Sequence, residues 1–275
     1  MTLTRSPVEL QVVDRTTPWP YPFWVAHRGA GKLAPENTLA AFRLGASFGW
    51  RMFECDAKLS ADDVVFLLHD ATLERTTSGT GLGGDLPWAQ LSALDAGAWH
   101  SPGFAGEPLA TLEGVARFCL SQGLELNIEI KPTPGLEERT GELVAQEALR
   151  LWTQPALNGA PNPTRPLPPF LTSFRPEALM GAMKAVPQLP RGLLMHEWWD
   201  GWLPIAEQLQ AVAIVANHEI WNAQTLAVVK RAGMRALTYT VNEEARAEQL
   251  TALGLDGIIT DAVNVFGPAR RPPAR

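Results

Sequence analysis

A (β/α)₈ barrel, a TIM barrel of the α/β class, with a small insertion after its second strand is the fold this sequence predicts. Three observations carry that prediction. Short β-type runs alternate with longer helix-type runs almost from end to end, and eight barrel-strand candidates are present. The 275 residues suit one such barrel, which routinely uses about 250 residues as a single domain. Alternation of this kind favours parallel strands joined by crossover helices, closed as a barrel or open as a doubly wound sheet, and eight candidates tilt the choice to the barrel. Residues 1–275 then read as a single domain, interrupted at about 70–110.

The elements follow in order. Phe23 to His27 is the first strand, and Asn37 to Gly49 has helical spacing through Leu39, Phe42, Leu44 and Ala46, with Asn37 as its N-cap. Met52 to Leu59 is the second strand, followed closely by extended Val64 to His69. Residues 70–110 are rich in Gly, Thr, Ser and Pro and lack periodicity, which suggests a functional cap rather than a connector. Leu112 to Ser121 is a helix and Leu124 to Lys131 the third strand. Later strands are Phe170 to Phe174, Gly192 to Met195, Val212 to Ala216, Ala236 to Val241 and Gly257 to Thr260. The helices among them are Glu138 to Trp152, Pro176 to Val186, Leu203 to Leu209, Ala223 to Ala232 and Glu243 to Leu253. Asn158 to Pro169 is Pro-rich and reads as a stiff surface loop.

Composition narrows the function. The formal net charge is −6, with no basic run before Arg270 to Arg275, which argues against nucleic acid or an anionic membrane as the main partner. An anionic substrate therefore needs a local positive site. Cys55 and Cys119 read as reduced core residues rather than a disulfide framework. Met1 to Pro22 has no apolar h-region and no run approaches the roughly 20 apolar residues of a membrane span, so the expected location is cytoplasmic, without membrane insertion.

The chemistry-bearing residues gather on the early strands. Side chains alternate along a strand, so Glu54 and Asp56 point one way and Cys55 the other. By the same rule Asn127, Glu129 and Lys131 share a face. Carboxylates inside parallel strands are expensive unless neutralised, and three on neighbouring strands suggest a hard divalent cation, Mg²⁺ or Ca²⁺. The alternative is an interior ion-pair network with Arg28 and Lys131 as counter-charges. His27 ends the first strand and His69 ends the extended piece after the second, at the barrel end where chemistry collects. Two imidazoles there suit a general acid and a general base around a phosphorus centre. A divalent cation with Arg28 and Lys131 outweighs the three carboxylates by one positive charge, which complements a phosphodiester anion.

Together these residues resemble the glycerophosphodiester phosphodiesterase family. His27-Arg28-Gly29 with Pro35-Glu36-Asn37-Thr38 is similar to that family's opening signature. The likeness continues through Glu54-Cys55-Asp56, His69-Asp70, Leu73-Glu74-Arg75-Thr76-Thr77 and Glu129-Ile130-Lys131. It ends with Tyr239-Thr240-Val241-Asn242 and Asp256 to Asp261. Gly31-Lys32-Leu33-Ala34 before Pro35 looks most like short cytosolic bacterial members. The resemblance implies hydrolysis of glycerophosphocholine, glycerophosphoethanolamine and similar diesters to sn-glycerol 3-phosphate and an alcohol. It implies metal ligands at Glu54, Asp56 and Glu129, an acid/base pair at His27 and His69, and phosphate contacts from Arg28 and Lys131. Tyr239 stands where many members have Trp and retains an aromatic wall. His69 is favoured as base and His27 as acid.

Asn217 and His218, just past the sixth strand, are assigned to substrate contact at the rim, ahead of His196 past the fifth. His100 reads as an exposed loop residue and Trp198, Trp199 and Trp202 as packing. Glu36 reads either as a partner of the site or as a first-turn carboxylate. Two other functions compete: a phospholipase C- or D-like enzyme acting on lipid head groups, and a catalytically silent barrel that binds a phosphorylated metabolite.

Overall fold

The computed structural model describes residues 9–154 and 167–267, so the Pro-rich stretch expected at 158–169 and the basic tail fall mostly outside the described residues. The strands are β1 (Trp24–Ala26), β2 (Met52–Leu59), β3 (Val65–Leu67), β4 (Glu125–Ile130), β5 (Phe170–Ser173), β6 (Arg191–Met195), β7 (Ala213–Asn217), β8 (Arg235–Tyr239) and β9 (Gly257–Thr260). They lie in the order β1-β9-β8-β7-β6-β5-β4-β2-β3, and an additional β1–β2 pairing closes the circle. Every barrel pairing is parallel, and β3 alone runs antiparallel, on the outer end of β2. This is the expected closed eight-stranded barrel. The helices between its strands are α1 (Leu39–Ser47), α3 (Leu112–Gln122), α4 (Glu137–Thr153), α5 (Pro176–Ala185), α6 (Trp202–Gln208), α7 (Ala223–Arg231) and α8 (Glu244–Leu253), with a short α2 (Trp88–Leu91) in the insertion.

Local chemistry sets the helix ends. Thr38, not Asn37, caps α1: its side chain accepts from Ala41 N, while Asn37 has φ 61° and sends its side chain into the barrel. Thr111 caps α3, and Asn222 with Thr225 forms a capping box on α7. The helices α4 and α5 pack unusually close. A Cβ at Gly141 would lie 1.8 Å from Ala178 O, and one at Gly181 would lie 2.0 Å from Glu138 O, so only hydrogen fits at either crossing point.

Among the described residues the buried apolar side chains fall into three clusters. The largest fills the space between the outward strand faces and the helices, and it takes in Cys55 and Cys119 as free buried thiols. A second, with Met52, Phe170, Val215 and Ile259, fills the barrel interior below the site and is joined by Val13 and Tyr21 from the N-terminal segment. A third belongs to the insertion. Phe66, Leu68, Leu73, Leu91, Ala96 and Leu109 form a core of its own, so residues 70–110 are ordered by burial despite their lack of periodicity. His100 fastens this unit to the barrel, since its Nε2 lies 3.1 Å from Lys32 O and its ring packs edge-on against Trp99 and Phe104. No described helix is long and apolar enough to cross a membrane.

Candidate active site

Strand register builds the site. Pairing of β2 with β4 sets Glu54 beside Asn127 and Asp56 beside Glu129. Glu129 in turn neighbours Thr172 on β5, whose hydroxyl donates to Asn127 Oδ1 at 3.0 Å. The carboxylates of Glu54, Asp56 and Glu129 are buried and offer oxygens all within 4.8 Å of one another. Glu54 and Glu129 open into a cavity of about 360 Å³ at the C-terminal end of the barrel, lined also by His27, Arg28, His69, Lys131 and Tyr239, and Asp56 lies fully buried just behind it. The structure thus brings together all of the residues expected from the early strands.

Each carboxylate has its own surroundings. Asp56 Oδ2 takes Asn37 Nδ2 at 2.8 Å and lies 3.1 Å from Arg28 Nε, and Glu54 Oε2 accepts from Arg28 N at 3.1 Å. Lys131 Nζ sits 2.7 Å from Glu129 Oε1 and 3.8 Å from Asp56 Oδ1. Among the described residues, Glu54 Oε1 and Asp56 Oδ1 are buried without a hydrogen bond. Burial is the largest influence on all three groups. It raises Glu54 well above the usual carboxylate range, with repulsion from Asp56 and Glu129 added. It raises Glu129 to about 7 against the pull of Lys131. For Asp56, Arg28, Lys131, His69 and Asn37 overcome burial and hold it at about 2. The cluster is therefore short of positive charge. Converging, partly unsatisfied carboxylate oxygens of this kind fit a hard cation with oxygen ligands better than a closed ion-pair network.

The two histidines flank this cluster in the same way. His27 Nδ1 lies 2.6 Å from Asp261 Oδ1, which leaves Nε2 toward the cavity, 3.8 Å from Glu54 Oε2. His69 Nδ1 lies 2.7 Å from Asp70 Oδ1, again leaving Nε2 as the free nitrogen. A carboxylate on Nδ1 fixes both tautomer and ring orientation. Burial lowers His69 from its ordinary value; Asp56 opposes this, and Arg28 and Lys131 add to it. Asp261 is itself held by Asn242, whose Nδ2 donates to Oδ2 at 3.0 Å and whose Oδ1 accepts from Asp261 N at 2.8 Å. The turn at Gly31 presses on this backbone. A Cβ there would lie 2.0 Å from Asp261 O, and its φ is 56°.

Asn217 and His218 do not reach the cavity. Asn217 Oδ1 accepts from Glu219 N at 3.1 Å and caps the short turn His218–Ile220. Tyr239 on β8 lines the cavity instead, and its hydroxyl reaches across β7 to donate to Met195 O on β6 at 3.1 Å. His196, ranked lower from sequence, does line the cavity, with Phe174, whose ring meets Tyr239 edge-on at 5.7 Å. Trp198 and Trp202 pack on each other, as expected. Glu36 proves to be a partner of the site: its Oε1 accepts from Arg28 Nη1 at 2.9 Å.

Asp261, Asn242, Asn37 as a partner of Asp56, and Phe174 carried no role in the sequence reading. Asp70 adjoins His69, and Asp261 follows the last strand at the rim, so the positions were visible while the pairings were not.

The chain matches the model of the glycerophosphoryl diester phosphodiesterase family over residues 27–265. A Caldanaerobacter subterraneus glycerophosphodiester phosphodiesterase is 29% identical over 245 residues, covering 86% of this chain and 93% of the relative. Bacillus subtilis YhdW, provisionally named for the same activity, is 32% identical over 244 residues, with the same coverage of 86% and 93%. Among solved structures, an Oleispira antarctica phosphodiesterase in complex with the product sn-glycerol-3-phosphate has a TM-score of 0.79 at 32% identity, covering 89% of this chain and 94% of that one. An Agrobacterium tumefaciens glycerophosphodiester phosphodiesterase has a TM-score of 0.71 at 25% identity, covering 90% and 99%.

Proposed function

The chain belongs to the glycerophosphoryl diester phosphodiesterase family and is a glycerophosphodiester phosphodiesterase, and on that premise we propose how its own residues act. Its substrates are small diesters such as glycerophosphocholine and glycerophosphoethanolamine, which yield sn-glycerol 3-phosphate and an alcohol. One observation carries the reading. Two imidazoles, each tied through Nδ1 to a carboxylate, turn their Nε2 atoms toward one cavity across three clustered carboxylates.

Glu54, Asp56 and Glu129 would hold one divalent cation, Mg²⁺ or Ca²⁺. When bound, it would neutralise the cluster and supply positive charge against the charge that builds on the phosphoryl group. Arg28 and Lys131 hold the phosphate by charge-assisted hydrogen bonds. His69, kept neutral by burial, takes the proton of the attacking oxygen as that oxygen bonds to phosphorus. His27 gives a proton to the alcohol oxygen as the second phosphorus–oxygen bond breaks. Asp261 on one ring nitrogen and Glu54 near the other suit it to donation. Phe174 and Tyr239 wall the side of the cavity where the departing alcohol lies. The two free buried thiols accord with a reducing cytoplasm.

Replacing His27 or His69 by Ala tests this directly. Each substitution is expected to lower kcat by about 10²–10⁴-fold while cation binding persists. A variant within tenfold of the parent would remove that histidine from the chemistry. Full cation and product binding without any turnover by the parent protein would favour the silent barrel instead.

A further inference from the structure

We propose that Arg75, a residue of the insertion outside the cavity, is a positioning residue that sets His69 through Asp70. The proposal rests on the reading of His69 as an acid–base residue. One guanidinium grips two carboxylates here. Arg75 Nε and Nη2 donate to Asp70 at 2.6 and 3.0 Å, and Nη1 and Nη2 donate to Glu36 at 2.9 and 2.8 Å. Asp70 Oδ1, one of the gripped oxygens, is the atom 2.7 Å from His69 Nδ1. Glu36 is the fixed end of the clamp, since its Oε1 also accepts from Arg28.

Three features make this a clamp rather than a surface ion pair. A planar fork that bonds two carboxylates in pairs fixes their angles as well as their distance, which an ammonium does not. The backbone behind Arg75 is rigid: Leu73 is fully buried in the insertion core, and Thr77 returns both its N–H and its hydroxyl to Leu73 O. The Asp70 carboxyl is held well below its usual range, first by its hydrogen bonds to Arg75 and then by His69, so it stays an acceptor for the ring. Without Arg75, Asp70 is free to rotate into solvent, and the imidazole loses the partner that fixes its tautomer. The insertion thereby reaches the chemistry through Arg75 and Asp70.

The test uses Arg75→Ala and Arg75→Lys in the full chain, with glycerophosphocholine as substrate and the cation present. Both variants are expected to lose about 10- to 100-fold in kcat, with KM within about threefold of the parent. Arg75 is partly exposed, so guanidinium ion at tens of millimolar is expected to restore at least a third of the parent rate to Arg75→Ala. Methylammonium restores none. On a His69→Ala background, Arg75→Ala is expected to change the residual rate by less than about twofold, because its route to the chemistry is gone. The proposal is overturned by kcat within threefold of the parent in both variants. It is equally overturned by an undiminished effect on the His69→Ala background, or by a loss that guanidinium leaves untouched. If Arg75→Ala does not fold, Arg75→Lys alone decides through its kcat and KM. His69→Ala at near-parent activity would sink the acid–base reading itself, whereas an inactive His69→Ala beside a fully active Arg75→Ala would sink only the clamp.

Discussion

Replacing Asp261 by Asn should cripple the enzyme by turning one amide the wrong way. Asp261 offers Oδ1 to His27 Nδ1 at 2.6 Å and Oδ2 to Asn242 Nδ2 at 3.0 Å. The orientation of Asn242 is not free, because its Oδ1 accepts from Asp261 N at 2.8 Å and from Thr260 Oγ1 at 3.2 Å. Its Nδ2 therefore must face position 261. A new amide there has to give its oxygen to Asn242, so its NH₂ points at His27 Nδ1. The ring is then held with its proton on Nε2, and an imidazolium would aim N–H at N–H. Loss of a charge-assisted hydrogen bond is worth about 1.5–3 kcal/mol, and opposed donors add about 1–3 kcal/mol. A total of about 2.5–6 kcal/mol corresponds to roughly 10²–10⁴ in kcat/KM. The assay is choline release from glycerophosphocholine with cation present, alongside a melting curve to verify folding. A further Asn242→Asp change moves the carboxylate to position 242, behind the new amide, and lets that amide turn its oxygen back to His27. It should recover at least tenfold. Asp261→Asn within about fivefold of the parent, or a double variant no better than the single, would refute this account of His27.

Three other outcomes follow from the electrostatics. Because burial holds His69 below 6.5, it stays neutral as pH falls through that value, and at saturating cation the acid limb of kcat/KM should lie below 6.5; a limb at 7 or above under that condition contradicts the assignment of His69 as base. Glu129, raised to about 7, and Glu54, pushed well above the usual carboxylate range by burial, must release protons to bind a cation, so affinity should rise with pH through about 7. Calorimetry in buffers of different ionisation enthalpy should detect the released protons, and an affinity that is flat from pH 6 to 8 speaks against this cluster as the site. A carboxylate raised in the folded protein keeps a proton that the unfolded chain gives up, so it costs stability as pH rises above 4.5. Glu54→Gln should therefore raise the melting temperature of the cation-free protein at pH 8 by roughly 2–6 °C, for about 1–2 kcal/mol, while abolishing cation binding. A lower melting temperature is the contrary result.

What the sequence made legible was local. Period-two alternation is a property of one strand, so the shared face of Glu54 and Asp56, and that of Asn127, Glu129 and Lys131, followed without any tertiary information. Strand–helix alternation then implied that these faces meet inside a barrel. The partnerships that barrel closure creates were not legible in the same way. The partnership of His27 with Asp261 spans 234 residues and exists because β1 pairs with β9. Asn37 looked like a helix cap by residue type, yet Thr38 serves that purpose and frees Asn37 for Asp56. Asn217 stood at the correct strand end, but nothing in its neighbourhood revealed that Tyr239 would reach past it. The insertion lacked periodicity because its core gathers single side chains from β3, the short α2 and the turns around them rather than one face of a long element.

The most direct measurement is release of sn-glycerol 3-phosphate from glycerophosphocholine by the purified protein, with EDTA and then with Mg²⁺ or Ca²⁺ restored. The account predicts release that EDTA abolishes and one of the two cations recovers. Release indifferent to EDTA would leave the histidines in place and contradict a cation on Glu54, Asp56 and Glu129. No release from a folded sample across several head groups would contradict the proposed substrates.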